Sequence, residues 1–150
     1  MRFVISVALL LVACGGDPTA PLNAHPAHGV VITVTSPGAC LVGGCDPPGG
    51  GMTLSLVSFV NSGNVPAYLR ACGTQLAASE QEVQHGEWVN VGPAYSCPVT
   101  PGPITLAAGD SVRVNWWFLP GTRRILLGVS STADQADEAQ AMSAGFQIGK

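Results

Sequence analysis

The sequence predicts an all-β domain, an antiparallel β-sandwich of about seven strands. Its composition, with 19 glycines, 12 prolines and few Lys or Glu residues, favours strands and turns over helices. Short segments carry alternating apolar or β-branched side chains, and turn-forming residues separate them. The predicted strands span residues 30–35, 52–60, 65–70, 86–91, 111–119, 123–129 and 145–148.

The first three strands are predicted from β-branched runs and one turn. Residues 30–35 (VVITVT) are β-branched throughout, and residues 52–60 are apolar on both faces. Residues 61–64 (NSGN) have the composition of a hairpin turn. We therefore expect residues 65–70 to return beside residues 52–60, with Pro66 near the start of the strand.

The later strands follow the same pattern. Every second residue from Val112 to Phe118 is apolar and is predicted to face the core. A turn at residues 120–122 leads into residues 123–129, whose odd-numbered positions from 125 are aliphatic. Residues 133–144 are rich in Ala and acidic side chains, and they predict either a short helix or an irregular loop.

The N-terminal residues resemble the targeting segment of bacterial lipoprotein precursors. Arg2 precedes the apolar residues 3–12, and the sequence LVAC ending at Cys14 resembles the lipobox of those precursors. The resemblance implies that residues 1–13 form a signal peptide that is removed. Cys14 would then carry acyl chains, palmitate among them, as a membrane anchor. An ordinary secretory peptide cleaved near Ala13 and a buried N-terminal strand are the alternatives.

This interpretation divides the chain into three parts. Residues 1–13 are the signal peptide, and residues 14–29 are the lipidated cysteine with a flexible tether rich in Gly and Pro. Residues 30–150 are the domain. The apolar run is shorter than the about 20 residues that span a bilayer, and no second run follows it. We expect an extracytoplasmic domain anchored by lipid in the cell envelope, at the outer membrane or the periplasmic face.

The cysteines predict two disulfides. The chain has five cysteines. Assigning Cys14 to lipid leaves four, an even number in an oxidising compartment. We favour the pairs Cys40 with Cys45 and Cys72 with Cys97 among the possible connectivities. A zinc site is the alternative, although the chain has no Cys-x-x-Cys pair.

The turns and strand starts of residues 50–150 resemble those of a known family. The matching segments are NSG at 61–63, PAYL at 66–69, CG at 72–73, GEWV at 86–89, CP at 97–98, LAAGDS at 106–111 and PGT at 120–122. They resemble small immunoglobulin-like sandwiches of bacterial lipoproteins, some of them similar to BsuPI-type proteinase-inhibitor domains. The resemblance implies an immunoglobulin-like fold. In that family a tyrosine usually stands where this chain has Arg123.

The candidate binding residues are one tryptophan and one proline-rich loop. Alternation along residues 111–119 sends Trp116 inward and Trp117 outward, where Trp117 can either contact a ligand or pack under a loop. The loop that follows Cys97 is stiffened by prolines, so it loses little entropy on binding. Its candidate residues are Pro98, Val99, Thr100 and Pro101. The alternative is that this loop only connects two strands.

Other polar residues favour structural roles over chemistry. Arg123 and the adjacent Arg124 point to opposite faces of a strand, so we expect solvation or pairing with a carboxylate. His25 and His28 lie in the tether and His85 in a turn, without a third metal ligand beside them. Asp134, Asp137 and Glu138 lack the ligand spacing of a calcium loop, so a solvated loop is expected. We therefore predict no metal, no cofactor and no catalytic residue.

These residues predict a non-enzymatic interaction or structural module at the cell envelope. Its partners would be the membrane, through the lipid anchor, and an envelope protein or ligand of unknown identity. The net charge is −3 without a basic patch, which argues against nucleic-acid binding. The alternative is a protease inhibitor that uses the loop after Cys97 or the loop between Cys40 and Cys45. A hydrolytic or metal-dependent enzyme is the third possibility.

Overall fold

The computed structural model describes residues 23–35, 51–92, 97 and 101–149, with the side chain of Pro101 excluded. These residues form eleven β-strands, and all their pairings are antiparallel. The strands are β1 (Val30–Thr35), β2 (Thr53–Asn61), β3 (Ala67–Cys72), β4 (Gln75–Leu76), β5 (Ser79–Gln84), β6 (Glu87–Asn90), β7 (Pro101–Leu106), β8 (Ser111–Phe118), β9 (Gly121–Ser130), β10 (Ala139–Met142) and β11 (Phe146–Ile148). The predicted all-β class is confirmed.

The strands form two sheets. The first has three strands in the order β1-β2-β8, and the second has eight strands grouped around β9. Strand β9 pairs with β3, β5, β10 and β11 at different positions along its length. Because β9 is paired so extensively, most of its residues are buried.

One hydrophobic cluster contains side chains from both sheets. The three-stranded sheet contributes Val30, Ile32, Val57, Phe59 and Phe118, and the eight-stranded sheet contributes Leu69, Ile125, Leu127 and Val129, among others. The predicted alternation in β8 and β9 is confirmed, because the inward positions of both strands lie in or against this cluster. Burial of these side chains is the main stabilising term of the fold.

The predicted hairpin at residues 61–64 is wrong. Strand β2 pairs with β1 and β8, whereas β3 pairs with β4, β7 and β9 in the other sheet. The end of β2 is instead occupied by the turn before β8: Asn61 N donates to Asp110 O and Gly109 N donates to Asn61 O. The chain therefore passes from the three-stranded sheet to the eight-stranded sheet between Asn61, the last residue of β2, and Ala67, the first residue of β3.

Four strands were not predicted, and each lacks the usual apolar signal. Strand β5 has the polar sequence SEQEVQ, β4 has only two residues, and β7 contains prolines. Strand β10 lies in the Ala-rich segment, for which a helix was one expectation, and that expectation is wrong. Proline suits β7, which pairs with β3 as its one partner among the described strands.

The last residues of the predicted tether contact the domain. His25 exchanges two backbone hydrogen bonds with Met142, of 2.9 and 2.8 Å, and Ala27 exchanges two with Val30. The chain is therefore attached to the sheets before β1 begins. Within the described residues, no helix is long and apolar enough to cross a membrane.

Gly29→Ala is expected to destabilise the protein more than Gly109→Ala. Both glycines have positive φ angles, 78° and 81°, which cost any L-residue about 1–2 kcal/mol. A Cβ at Gly29 would also lie 2.8 Å from the Cα of Gly63, whereas one at Gly109 would meet nothing within 4 Å. Overpacking against backbone adds about 1–3 kcal/mol at Gly29. Urea unfolding of both variants measures the difference, and equal losses would contradict the close approach of the two segments.

Candidate functional site

The predicted binding residues are divided between the described and the undescribed parts of the chain. Trp117 lies on β8, is partly buried, and lines a cavity together with Trp116. Pro98, Val99 and Thr100 lie outside the described residues, and Pro101 is the first residue of β7. Cys14, Cys40 and Cys45 also lie outside them, so the lipid anchor and the Cys40–Cys45 disulfide remain predictions.

The second predicted disulfide is confirmed. Cys72 at the end of β3 is bonded to Cys97, with their Cα atoms 5.5 Å apart. Strand β7 then begins only four residues after Cys97 and pairs with β3 from Pro101 to Leu106. Cys97 and Pro101, the described residues on either side of residues 98–100, are therefore both attached to β3.

A polar cluster joins the two sheets, formed by the buried Glu80 and Arg123 and the partly buried Glu82 and Trp116. Arg123 Nη1 donates to Glu80 Oε1 at 2.9 Å, and Arg123 Nη2 lies 3.3 Å from Glu82 Oε1. Trp116 Nε1, from the other sheet, donates to Glu80 Oε2 at 3.1 Å. Glu80 thus connects a strand pair of one sheet to the edge strand of the other.

Strand register explains why these side chains meet. In the β5–β9 pair, Glu82 lies opposite Arg123 and Glu80 lies opposite Ile125. Arg123 also shares its face with Ile125, which directs the guanidinium towards the core. A charge at a core-facing position must be paired, and Glu80 and Glu82 supply the carboxylates.

The electrostatics of the cluster follow from burial. Desolvation raises the pKa of Glu80, while the hydrogen bonds from Trp116 and Arg123 and the charge of Arg123 act in the opposite direction. The side chain of Arg123 is only 4% exposed, and Nη2 also donates to Pro120 O at 3.0 Å. The predicted pairing of this arginine with a carboxylate is confirmed.

Sequence reasoning missed Glu80 and Glu82 because their segment was not recognised as a strand. The signal that could have led to these two glutamates was the alternation of side chains in β9. The alternation that places Ile125, Leu127 and Val129 on the core face places Arg123 there as well. A buried arginine requires an acidic partner on a neighbouring strand, and the Glu-x-Glu pattern of β5 offers two carboxylates on one face.

A cavity of about 520 Å³ lies beside this cluster. The residues that line it include Met52, Trp116, Trp117 and Leu119 together with Glu82 and Arg123 of the cluster. Arg123 Nε is buried and has no hydrogen-bond partner among the described atoms. The cavity is therefore bordered by two tryptophans and by charged residues that the cluster holds in position.

The other predicted polar residues form structural contacts. Arg124 lies over the Trp88 ring at 4.4 Å and donates to Gln81 Oε1 at 2.7 Å. His28 Nε2 donates to the carbonyl oxygen of Asp137 at 2.9 Å. His85 lies in the predicted turn, between β5 and β6. In the described part of the chain, no group of three or more His, Cys, Asp or Glu side chains is placed to hold a metal ion.

Asp137 organises the loop after β9. Its carboxylate accepts hydrogen bonds from the Ser130 hydroxyl, from the Ser131 amide at 3.1 Å and from the Thr132 hydroxyl at 3.2 Å. The hydrogen bonds from Ser130 and Ser131 lower the pKa of Asp137 below its ordinary value of 3.8. The carboxylate is thus occupied by its own loop.

Asp137→Asn is expected to flatten the acid limb of the stability profile. A lowered pKa in the folded protein stabilises it above the unfolded value of 3.8, and this contribution is lost as the pH falls below that value. Urea unfolding measured from neutral pH to below pH 3.8 should show a smaller loss of unfolding free energy in the variant than in the wild type. Ser130→Ala, which removes one donor and keeps the carboxylate, should raise the Asp137 pKa in an NMR titration. An unchanged titration would contradict the assigned cause.

The comparisons with known proteins add no relatives. The sequence matches no protein-family model and no curated protein. The function is therefore inferred from the residues themselves.

Proposed function

We propose that this chain is a lipid-anchored, extracytoplasmic binding module of the bacterial cell envelope. The lipobox-like sequence ending at Cys14 supports the anchor. The Cys72–Cys97 disulfide supports an oxidising compartment outside the cytoplasm, since such bonds persist there. Residues 14–29 would be the tether and residues 30–150 the domain.

The finer fold assignment is an immunoglobulin-like sandwich, related to the BsuPI-type domains. Two antiparallel sheets with a shared core support this assignment. The bond from Arg123 Nη2 to Pro120 O supports it as well. It runs from a side chain to backbone three residues upstream, as the hydroxyl of a tyrosine corner does. Arg123 would therefore replace the tyrosine of that family both in position and in this contact.

The cavity beside Trp117 is the observation that carries the binding function. Aromatic walls with a few fixed polar groups are typical of ligand sites. Glu80, Glu82 and Arg123 are engaged with one another and with Trp116, so they serve better to orient a ligand than to transfer protons. These contacts favour a binding module over an enzyme.

Cys14→Ser is expected to abolish the membrane anchor. The full-length chain would be expressed in a bacterium fed an alkyne analogue of palmitate, and the label and the membrane fraction would be measured. The Cys40→Ser/Cys45→Ser variant is the control, because it removes cysteines without changing the lipobox. Label and membrane partitioning should be lost only in Cys14→Ser, and their retention there would reject the anchor.

The binding function is tested in the envelope itself. A photo-crosslinking residue placed at Trp117 should form a discrete adduct in intact cells. The same residue at Val65, which is 55% exposed on the turn between β2 and β3, is the control position. Identical adduct patterns at the two positions would contradict a specific site at Trp117.

A protease inhibitor is the second candidate, and one contact favours it. Cys97, just before residues 98–100, is bonded to Cys72, and Pro101, just after them, is the first residue of β7. A segment whose two flanking residues are attached to the domain loses less entropy when it enters a protease cleft. Inhibition of serine, cysteine or metalloproteases at micromolar protein, lost in Thr100→Pro, would support this function. Inactivity across that panel would reject it.

A further inference from the structure

Strand β8 is one edge of the three-stranded sheet. In the described part of the chain, β8 pairs with β2 on one side and with no strand on the other. The register between β2 and β8 runs without interruption from Ser111 to Phe118, apart from the change of partner residue at each step. In an antiparallel pair, every second residue directs its N–H and C=O groups away from the partner strand. This edge therefore presents backbone donors and acceptors that β2 does not use.

The length and composition of β8 suit it to accept a further strand. Edge strands of natural proteins are often short or contain proline, which limits pairing with another chain. Strand β6 has 4 residues, and β7 contains Pro101 and Pro103. Strand β8 has 8 residues, no proline and one charged side chain, that of Arg113. It is therefore a better template for strand addition than β6 or β7.

Two cavities follow this edge. A cavity of about 430 Å³ borders Val112 and all of residues 114–117. Because consecutive residues of a strand point to opposite faces, this cavity borders the edge of β8 and not one face alone. The cavity of about 520 Å³ beside the polar cluster borders Trp116 and Trp117 as well. Open space therefore continues along the edge from Val112 to the polar cluster.

The gap between the sheets is apolar and incompletely covered at this edge. Val112 and Val114 of β8, Leu76 of β4 and Ile104 of β7 line the cavity of about 430 Å³, and all four are only partly buried. They pack against the core, in which Phe59 is fully buried. A strand added beside β8 places every second side chain on this side of the sheet. Aliphatic side chains there would bury more of this apolar surface, which stabilises the complex.

The opposite end of the edge has an excess of acidic groups. The cavity of about 520 Å³ borders Glu80 and Glu82, whose two carboxylates face the one guanidinium of Arg123. The side chain of Glu82 is 25% exposed. A carboxylate offers about four acceptor sites, so Glu82 can accept from a further donor. A basic side chain therefore complements this end of the edge.

We propose that the β8 edge binds an extended peptide segment of an envelope protein, which joins the three-stranded sheet as an additional strand. The segment carries aliphatic side chains at alternate positions, towards Leu76 and Ile104, and a lysine or arginine at the end near Glu82. Backbone hydrogen bonds to β8 supply the affinity, and the alternate side chains supply the specificity.

This assignment rests on the proposed binding function and names the class of partner. The two are separable, since the crosslink at Trp117 reports any partner, whereas strand addition is reported only by the backbone of β8. A discrete crosslink without strand addition would reject this assignment and keep the binding function.

The test uses the full-length protein and the peptide acetyl-KTVTVTV-amide, whose lysine and valines share one face. An antiparallel orientation, as in the described strand pairs, places the lysine near Glu82. Amide hydrogen exchange would be followed by NMR with and without the peptide. At saturation, exchange should slow about tenfold or more at every second residue of β8. Strand β1 is the matched control, because it is the other edge of the same sheet and should not change.

Two N-methylated peptides separate backbone pairing from side-chain docking. One carries methyl groups on the valine nitrogens, and the other carries them on the threonine nitrogens. Only one of these two sets of N–H groups faces β8 in an antiparallel pair. One peptide should therefore lose about tenfold or more in affinity, and the other should bind as the parent does. Equal affinities would contradict strand addition.

Variants test the side-chain contacts. Leu76→Ala should weaken binding about fivefold, because it removes apolar surface below the added strand. Val65→Ala is the control, since Val65 is exposed on the turn between β2 and β3 and should leave the affinity unchanged. Glu82→Gln should weaken binding about threefold, and this loss should vanish for a peptide with norleucine in place of lysine.

Three results would overturn the proposal. The first is unchanged hydrogen exchange in β8 with the peptide while the folded spectrum is retained. The second is slow exchange at the alternate residues of β8 already in the dilute, peptide-free protein, which would assign the edge to another segment of this chain. The third is protection that grows with protein concentration alone, together with a dimer in sedimentation, which would assign the edge to a second copy.

Discussion

Asn61→Ala is expected to lower the free energy of unfolding by about 4 kcal/mol. The side chain is fully buried, and its Nδ2 donates to Val65 O at 2.8 Å and to Leu106 O at 3.0 Å. Its Oδ1 accepts from Gly63 N at 3.0 Å. The substitution leaves these three backbone groups without their partner, at about 1–3 kcal/mol for the buried Leu106 carbonyl and less for the part-buried Val65 and Gly63 groups.

The same turn offers a matched control for this prediction. Asn64 is exposed, so Asn64→Ala should change the stability by no more than about 0.5 kcal/mol. Asn61→Asp separates the roles of the two side-chain atoms, because it keeps the acceptor and loses the donor to Val65 and Leu106. Urea unfolding measures all three variants. Similar losses in Asn61→Ala and Asn64→Ala would show that Asn61 does not hold the crossing between sheets.

Arg123→Met is expected to cost about 3–5 kcal/mol, because it leaves Glu80 buried without its cation. The Glu80→Gln/Arg123→Met variant should lose less than the sum of the single losses, since it removes both charges together. Arg70→Met is the control on an exposed pair, with Arg70 Nη1 3.2 Å from Glu138 Oε1. Its cost should be about 0–1 kcal/mol.

The pH dependence distinguishes lost charge pairing from lost packing. The pKa of Glu80 is already raised above its ordinary value of 4.5, and removing Arg123 should raise it further. A raised carboxyl pKa stabilises the fold below the unfolded value, and this contribution is lost as the pH rises through the folded pKa. The deficit of Arg123→Met should therefore be smaller near pH 4 than at neutral pH. A deficit independent of pH would indicate a packing defect.

The elements that could be predicted from the sequence are those with a local apolar signal. Strands β1 and β2 were predicted from runs of β-branched and apolar residues, and β8 and β9 from alternating side chains; the inward residues of these strands lie in or against the core. The Cys72–Cys97 pair was predicted once Cys14 was assigned to lipid. Of the candidate site, Trp117 and the pairing of Arg123 with a carboxylate were predicted, and the partners Glu80 and Glu82 were not.

Polar strands could not be predicted, because their stability comes from neighbours that are distant in sequence. The side chains of β5 carry no strand signal, yet its backbone pairs with β9 on one side and β6 on the other. Those hydrogen bonds satisfy the backbone of β5 whatever its side chains are. The acceptors for Arg123 were missed for the same reason.

The sequence by itself determined the all-β class and the alternation of the long strands, because periodicity and turn composition are local properties. The number of cysteines predicted disulfides, but the pairing of Cys72 with Cys97 was only the favoured one among the possible connectivities. Only the tertiary structure decided which sheet receives the chain after Asn61 and which carboxylates face Arg123. Both depend on strand register between distant segments, where buried polar groups must find partners and where one residue of slippage turns each side chain to the opposite face.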